Sequence, residues 1–217
     1  ILGDDDLAWP ARWHRLEALH AYHGGIAFRE LGEFDKAAEA QEATARLDPD
    51  PNKAGISQFC AAVEWVHHAL KVGDPALIAE KLATLRAAVP ALMALDGSNA
   101  DVRRWQKANC PAHLLYSHWL AGVKYDGWGA DMGAMQNLPD DLAGTFEDWS
   151  KVLSAIDSFG LSETGFTPLK LADKVLRRDF HPSTTALAML VAAQAHQAYK
   201  LNGLAKVLLR AIVNMPG

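Results

Sequence analysis

Cysteine is scarce in this chain: Cys60 and Cys110 are all there is, and they form no CxxC pair. So few exclude a disulfide scaffold, and whether the two bond each other stays open, buried thiols on separate helices being the simpler state. A basic excess is missing too, since the net charge is −5, which argues against a protein that tracks a nucleic-acid backbone. No apolar run approaches the roughly 18–20 residues that span a bilayer; the most apolar tract, residues 185–195, is short and alanine-rich. Nowhere do apolar and polar residues alternate with period two between turn residues, so strands are not expected. There is no Gly-x-Ser-x-Gly elbow and no P-loop, and Gly127-x-Gly129 lacks the strand–turn–helix context of a phosphate cradle. Near the start, Asp4-Asp5-Asp6 stands where a secretory segment needs basic residues. No Met opens the chain, so the compartment is undecided; the expectation leans to the cytoplasm and leaves a processed secreted or periplasmic form open.

What is present is a composition that folds. Half of the 217 residues are hydrophobic and 22% are charged, which separates the chain from disordered sequences and supplies a core. A single helical repeat domain over residues 1–217 is the natural division.

The most informative stretch is residues 24–49. Gly24, Gly25 and Ala27 are small where one helix must let another approach, and Phe28 follows to plug the gap. Gly32 can take the left-handed conformation that ends a helix, and Phe34 packs back into the elbow. Ala37 and Ala38 give the second helix a small face, Leu47-Asp48-Pro49 stops it, and Pro51 bars a quick restart. Taken together, Gly25, Phe28, Gly32, Phe34, Asp35, Ala37, Leu47, Asp48 and Pro49 resemble a tetratricopeptide repeat (TPR). Thr44 departs from that pattern, which has a small alanine near the end of the second helix. The resemblance implies an all-α, irregular TPR-like α-solenoid of antiparallel helix hairpins, because one such hairpin cannot bury its own apolar face. A compact helical bundle is the alternative.

Helical periodicity extends the pattern along the chain. Residues 1–49 hold the clearest hairpin, its first helix opening at Trp9-Pro10. Helices are expected over 53–72 and 76–95, joined by Gly73-Asp74-Pro75, with Pro90 kinking the second or splitting off its last turn. A fifth helix is expected over 100–125, with Pro111 as a second kink. Residues 126–139 read as a glycine-rich loop insertion carrying Trp128 and Met132. Further helices are expected over 140–156 and 168–180. Residues 182–214 form a C-terminal hairpin, in which Leu201-Asn202-Gly203 echoes the Leu31-Gly32 elbow.

If the elbows set the register, the first helix of each hairpin turns one face to the concave side. That face carries Tyr22, Ile26 and Arg29, then Val63, His67 and Lys71, then His113, Tyr116 and Lys124, and finally His196, Tyr199 and Lys200. Such a groove in an acidic protein suits an extended peptide or an anionic ligand; the plainer alternative is that Tyr and Ile pack between helices while Lys and Arg are solvated. The family's carboxylate-binding version has Lys and Asn on this face, and Tyr22 and Ile26 do not match it. Trp128, with Tyr125 and Met132, could form a lid or contact patch beside the groove. A different chemistry is offered by Glu17-x-x-His20 and Glu64-x-x-His67, each a carboxylate and an imidazole one helical turn apart, the arrangement that two helices contribute to a di-iron or di-manganese centre. Neither His67-His68 nor His20 with His23 adds a clear further ligand set.

The expected function is that of a non-enzymatic scaffold or adaptor, binding a protein or peptide partner along the concave face, with possible membership of a larger complex. No cofactor, nucleic acid or membrane insertion is expected. The alternatives are an all-α metal-binding protein or metalloenzyme built on Glu17, His20, Glu64 and His67, or a small-ligand binder using the aromatic, glycine-rich loop.

Overall fold

The computed structural model describes residues 9–139, 141–142, 182–198 and 200–214. Every regular element among them is helical. The chain divides into two compact units, residues 1–126 and 127–217. The boundary falls where the sequence changes texture, at Asp126-Gly127.

In the first unit, α1 (Trp9–Glu30) and α2 (Phe34–Leu47) form the expected hairpin. Gly32 is left-handed (φ 69°); its N–H donates to Arg29 O, and the Glu33 N–H reaches back to Phe28 O. This doubly bonded elbow satisfies carbonyls that the end of α1 would otherwise leave open. Gly25 is the close-approach residue: a Cβ there would lie 3.2 Å from Gln41 Nε2 and 3.4 Å from Ala37 O. Gly24 faces open space and is not needed for the contact. Ala37 and Ala38 are fully buried, as the small face requires. Thr44 is tolerated in place of a smaller residue because its hydroxyl donates to Ala40 O, 2.9 Å away, one turn back.

Pro51 does not delay the next helix; it opens it. α3 (Pro51–Val72) has Asp50 as N-cap, whose side chain accepts from Asn52 N–H at 2.9 Å. Proline fits the first turn because its missing N–H would have had no partner there. The same device starts α4 (Pro75–Met93), capped by Asp74 after the left-handed Gly73. α4 runs on past Pro90 and ends three residues later.

The expected fifth helix is interrupted. α5 (Ala100–Arg104) passes into a π-helical turn, residues 105–109, before α6 (Cys110–Ala121). Pro111 supplies the reason. It has no N–H to give and its ring would press on the carbonyl of residue 107, so the backbone widens, with Cys110 N–H bonding back to Trp105 O. Gln106 holds the junction, its amide nitrogen lying 3.0 Å from Leu92 O and 3.1 Å from Leu95 O at the end of α4.

α1 packs on α2, α2 on α3 and α3 on α4, and α6 then closes on α3 and α4. Phe59, Val63 and Val66 of α3, Leu82, Leu85 and Leu92 of α4, and Cys110 and Leu114 of α6 form the core between those three helices. Each large aliphatic side chain so buried contributes about 1.5–3 kcal/mol. Both cysteines are buried, with no disulfide between them.

In the second unit, α7 (Trp128–Gln136) occupies most of the stretch expected to be a loop. Met132 and Met135 are buried on one side of it, and this apolar pair outweighs the helix-weakening Gly129 and Gly133. α8 (Pro182–Ala198) and α9 (Asn202–Val213) pack together as the C-terminal hairpin. Its left-handed residue is Lys200 (φ 60°), while Gly203 lies inside α9. The echo of the first elbow is therefore offset: Lys200, not Asn202, takes the place of Gly32. The helix expected over 168–180 and most of that over 140–156 lie outside the described residues.

Candidate binding groove

Two adjoining cavities open in the first unit. The larger, about 430 Å³, has Ala18, Leu19 and Tyr22 of α1 on one side and Asn52, Lys53 and Ile56 of α3 beneath, with Asn99, Asp101, Arg104 and Trp105 opposite. Its rim is polar because helices begin there. Asp50 caps α3, and Asn99 caps α5 by accepting from the N–H groups of Asp101 and Val102. Lys53, Arg104 and Asp101 add charge of both signs.

The smaller cavity, about 160 Å³, is lined by Tyr22, Ile26 and Arg29 of α1, Gln41 of α2, Cys60, Val63 and Glu64 of α3, Trp105 of the π-turn and His113 of α6. Tyr22 and Trp105 wall both cavities, so the two adjoin at these side chains, the smaller being the more enclosed, deep end. Trp105 and His113 stack with centroids 5.9 Å apart and planes 11° from parallel.

Charge inside the deep end is paired. Arg29 Nε donates to Glu64 Oε1, and Glu64 Oε2 faces His67 Nδ1 at 3.5 Å. Glu64 is 1% exposed, Arg29 40%. Burial pushes the Glu64 carboxyl up, but the His67 hydrogen-bonding group and the Arg29 charge together outweigh it and hold the group below its ordinary range. His113 is pushed down to about 3, first by burial and then by the charges of His67 and Arg29, so it is a neutral ring. Burial drives the Cys60 thiol up to about 12, which leaves it protonated and unreactive. Gln41, 1% exposed, has its Oε1 buried with no hydrogen-bond partner among the described residues.

Of the residues singled out from sequence, Tyr22, Ile26, Arg29, Val63 and His113 line the deep cavity. His67 and Tyr116 stand one step back, their rings 6.3 Å apart, with Phe34 against the other side of His67 at 5.4 Å. Lys71 turns away, donating to the elbow carbonyl Gly32 O at 2.8 Å. Lys124 is 91% exposed beside Asp126. Trp128, His196 and Lys200 belong to the second unit, and Tyr199 lies outside the described residues. Of the residues expected to form a contact patch, Tyr125 belongs to the first unit and stacks on His118 at 4.4 Å, while Trp128 and the buried Met132 belong to the second.

The metal alternative is corrected. Glu17 accepts from Trp13 Nε1 and, with His20, faces a separate shallow apolar hollow. Glu64 is engaged with Arg29 and His67, and among the described residues no three His, Cys, Asp or Glu side chains are grouped to hold an ion. Sequence reasoning missed Gln41, Cys60 and Trp105 as parts of the groove. Only for Trp105 was there a local signal, the proline six residues downstream.

No protein-family model, no curated protein and no solved structure matches the chain. Among the described residues the structure is all-helical, with neighbouring helices packed on one another.

Proposed function

We propose that the first unit is a non-enzymatic, TPR-like helical-hairpin module that holds an extended segment of a protein partner in the groove between α1, α3 and the π-turn. The observation that carries this is the adjacency of the two cavities through Tyr22 and Trp105. A shallow cleft with caps and charges on its rim, leading to a deeper pocket, matches a peptide backbone with one inserted side chain. The left-handed Gly32 elbow and the close approach at Gly25 favour the TPR-like comparison. A neutral His113 and a protonated Cys60 suit binding better than nucleophilic chemistry. The chain would then serve as an adaptor or as one subunit of a larger complex.

Selection of displayed random peptides on the full chain tests this. Peptides that bind should lose at least about tenfold in affinity in Arg104→Glu combined with Lys53→Glu, since both side chains stand on the rim. Binding that survives these changes, or no binding at all, would remove the groove from consideration.

A further inference from the structure

α1 is apolar on two sides, and the groove uses only one of them. We propose that the other, outer side is the contact surface of a two-fold dimer, in which α1 of one copy lies antiparallel on α1 of a second.

An α-helix turns about 100° per residue, so Trp13 and Leu31, about five turns apart, share one line along it. Leu31 keeps that register because its N–H still bonds Ala27 O at 3.1 Å. His20 and Gly24 fall within about 20° of the line, Leu16 and Ala27 to one side of it and Glu17 to the other. All of this face is open: Trp13 is 51% exposed, Leu16 53% and Leu31 72%. Ala27 is exposed too, and a Cβ on Gly24 would meet nothing within 4 Å. The far side of the helix carries Tyr22, Ile26 and Arg29 into the groove. A surface helix needs one apolar stripe; a second stripe calls for a second packing partner.

The order of side chains along the face says what that partner is. Trp13 and Leu16 stand near the start of α1, beside a shallow hollow completed by Ala21 and Leu47. Gly24 and Ala27 leave the middle flat, and Leu31 projects at the far end. An antiparallel copy centred near residue 22 lays Leu31 of each chain in the hollow beside Trp13 of the other. The same pairing sets His20 over Gly24, where the missing side chain lets the backbones approach. Charge agrees with it. Lys36 Nζ sits 5.5 Å from the centre of the Phe28 ring, on the same side of the face as Glu17 but toward the other end. A two-fold axis keeps that side and exchanges the ends, so Glu17 of each copy comes to Lys36 of the other. A parallel pair would put like charges together. Lys36 already bonds Glu33 Oε2 at 2.8 Å, and its ammonium has further donors to give. Such a contact closes at two copies and leaves both grooves open on the outside.

Sedimentation equilibrium on the full chain at pH 7.5, up to about 200 μM, tests this by reading the monomer–dimer constant. A reversible dimer that grows no further is expected. Gly24→Gln fills the flat middle without touching the packing within one chain, and removes a helix-weakening glycine. It should weaken the dimer at least about tenfold while the urea midpoint stays the same or rises, which separates the contact from the fold. Glu17→Lys and Lys36→Glu should each weaken it at least about fivefold, and the two together should restore most of the loss. A chain that stays monomeric throughout, an assembly that grows past two, or a dimer indifferent to Gly24→Gln overturns the proposal. Charge reversals that do not rescue each other overturn the antiparallel arrangement it requires. None of these readings involves peptide binding, so the groove stands or falls separately.

Discussion

Trp105 and His113 lie face to face although eight residues separate them. In an unbroken α-helix eight residues turn one side chain about 80° away from the other. The π-turn at residues 105–109 takes up one residue and restores the common face. A proline that cannot continue the hydrogen-bond ladder thus places an aromatic wall in the groove.

Enclosure of His113 makes stability fall in acid. Its folded pKa, about 3, lies below its ordinary value of 6.5, so between these two the unfolded chain binds the extra proton and stability rises with pH. Glu64 acts in the same direction: its carboxyl is depressed in the folded chain, so its contribution is present above 4.5 and lost as pH falls. Urea denaturation from pH 7.5 down to 4.5 should show a decline starting near 6.5. His113 keeps part of its surface toward the cavity, so the slope should stay below the limiting value of about 1.4 kcal/mol per pH unit. His113→Phe should flatten the curve above pH 5. An unchanged slope would place the titration elsewhere.

The Arg29–Glu64 pair joins α1 to α3, and its two ends are unequally exposed. Removing the outer partner leaves an ionised group buried. Arg29→Met is expected to lower stability by about 2–3 kcal/mol, less than a fully buried pair would because Arg29 is partly in solvent. Arg29→Met with Glu64→Leu should recover most of that loss, since no charge is then stranded. A double-mutant cycle on denaturation midpoints measures it; additive losses would show that the pair is not coupled.

How much of this was legible depended on whether a residue's neighbours were local. Tyr22, Ile26 and Arg29 recur at helical spacing back from the Gly32 elbow, so their shared face could be read off the chain. Glu64 and His67 were likewise read as adjacent, and they are, at 3.5 Å. Their third partner, however, is a guanidinium thirty-five residues upstream and not a metal. Gln41 was hidden because α2 reads as the back of its hairpin; only the absent Cβ at Gly25 lets it come so near α1. The one-residue shift at the π-turn cannot be seen in a periodicity that assumes 3.6 residues per turn. Residues 126–139 misled for a compositional reason, glycine content outweighing the pair Met132 and Met135.

Gln106 is expected to matter more than a half-buried amide usually does. Its Nε2 reaches Leu92 O and Leu95 O, with Met93 O at 3.3 Å, where α4 ends. Gln106→Ala should cost about 1 kcal/mol in thermal or urea unfolding. Gln106→Glu should cost more, because a carboxylate cannot donate to carbonyls. Equal effects of the two would mean that water replaces the amide.

Gly32 and Lys200 occupy the same position in two elbows: each is left-handed, each donates to the residue three before it, and the following N–H bonds five residues back. Only one of them is glycine, so substitutions at the two should have opposite signs. Gly32→Ala forces a Cβ into this conformation and is expected to destabilise the first unit by about 1 kcal/mol. Lys200→Gly relieves the same strain in the second unit, less what glycine adds to unfolded-chain entropy, for a gain of up to about 1 kcal/mol. Because the chain has two units, one melting temperature could blend them. Hydrogen exchange resolves this: amide protection in α1 and α2 should fall in the first variant, and protection in α8 and α9 should rise in the second. A loss of protection in Lys200→Gly would mean that the lysine side chain, not the backbone angle, holds the C-terminal turn.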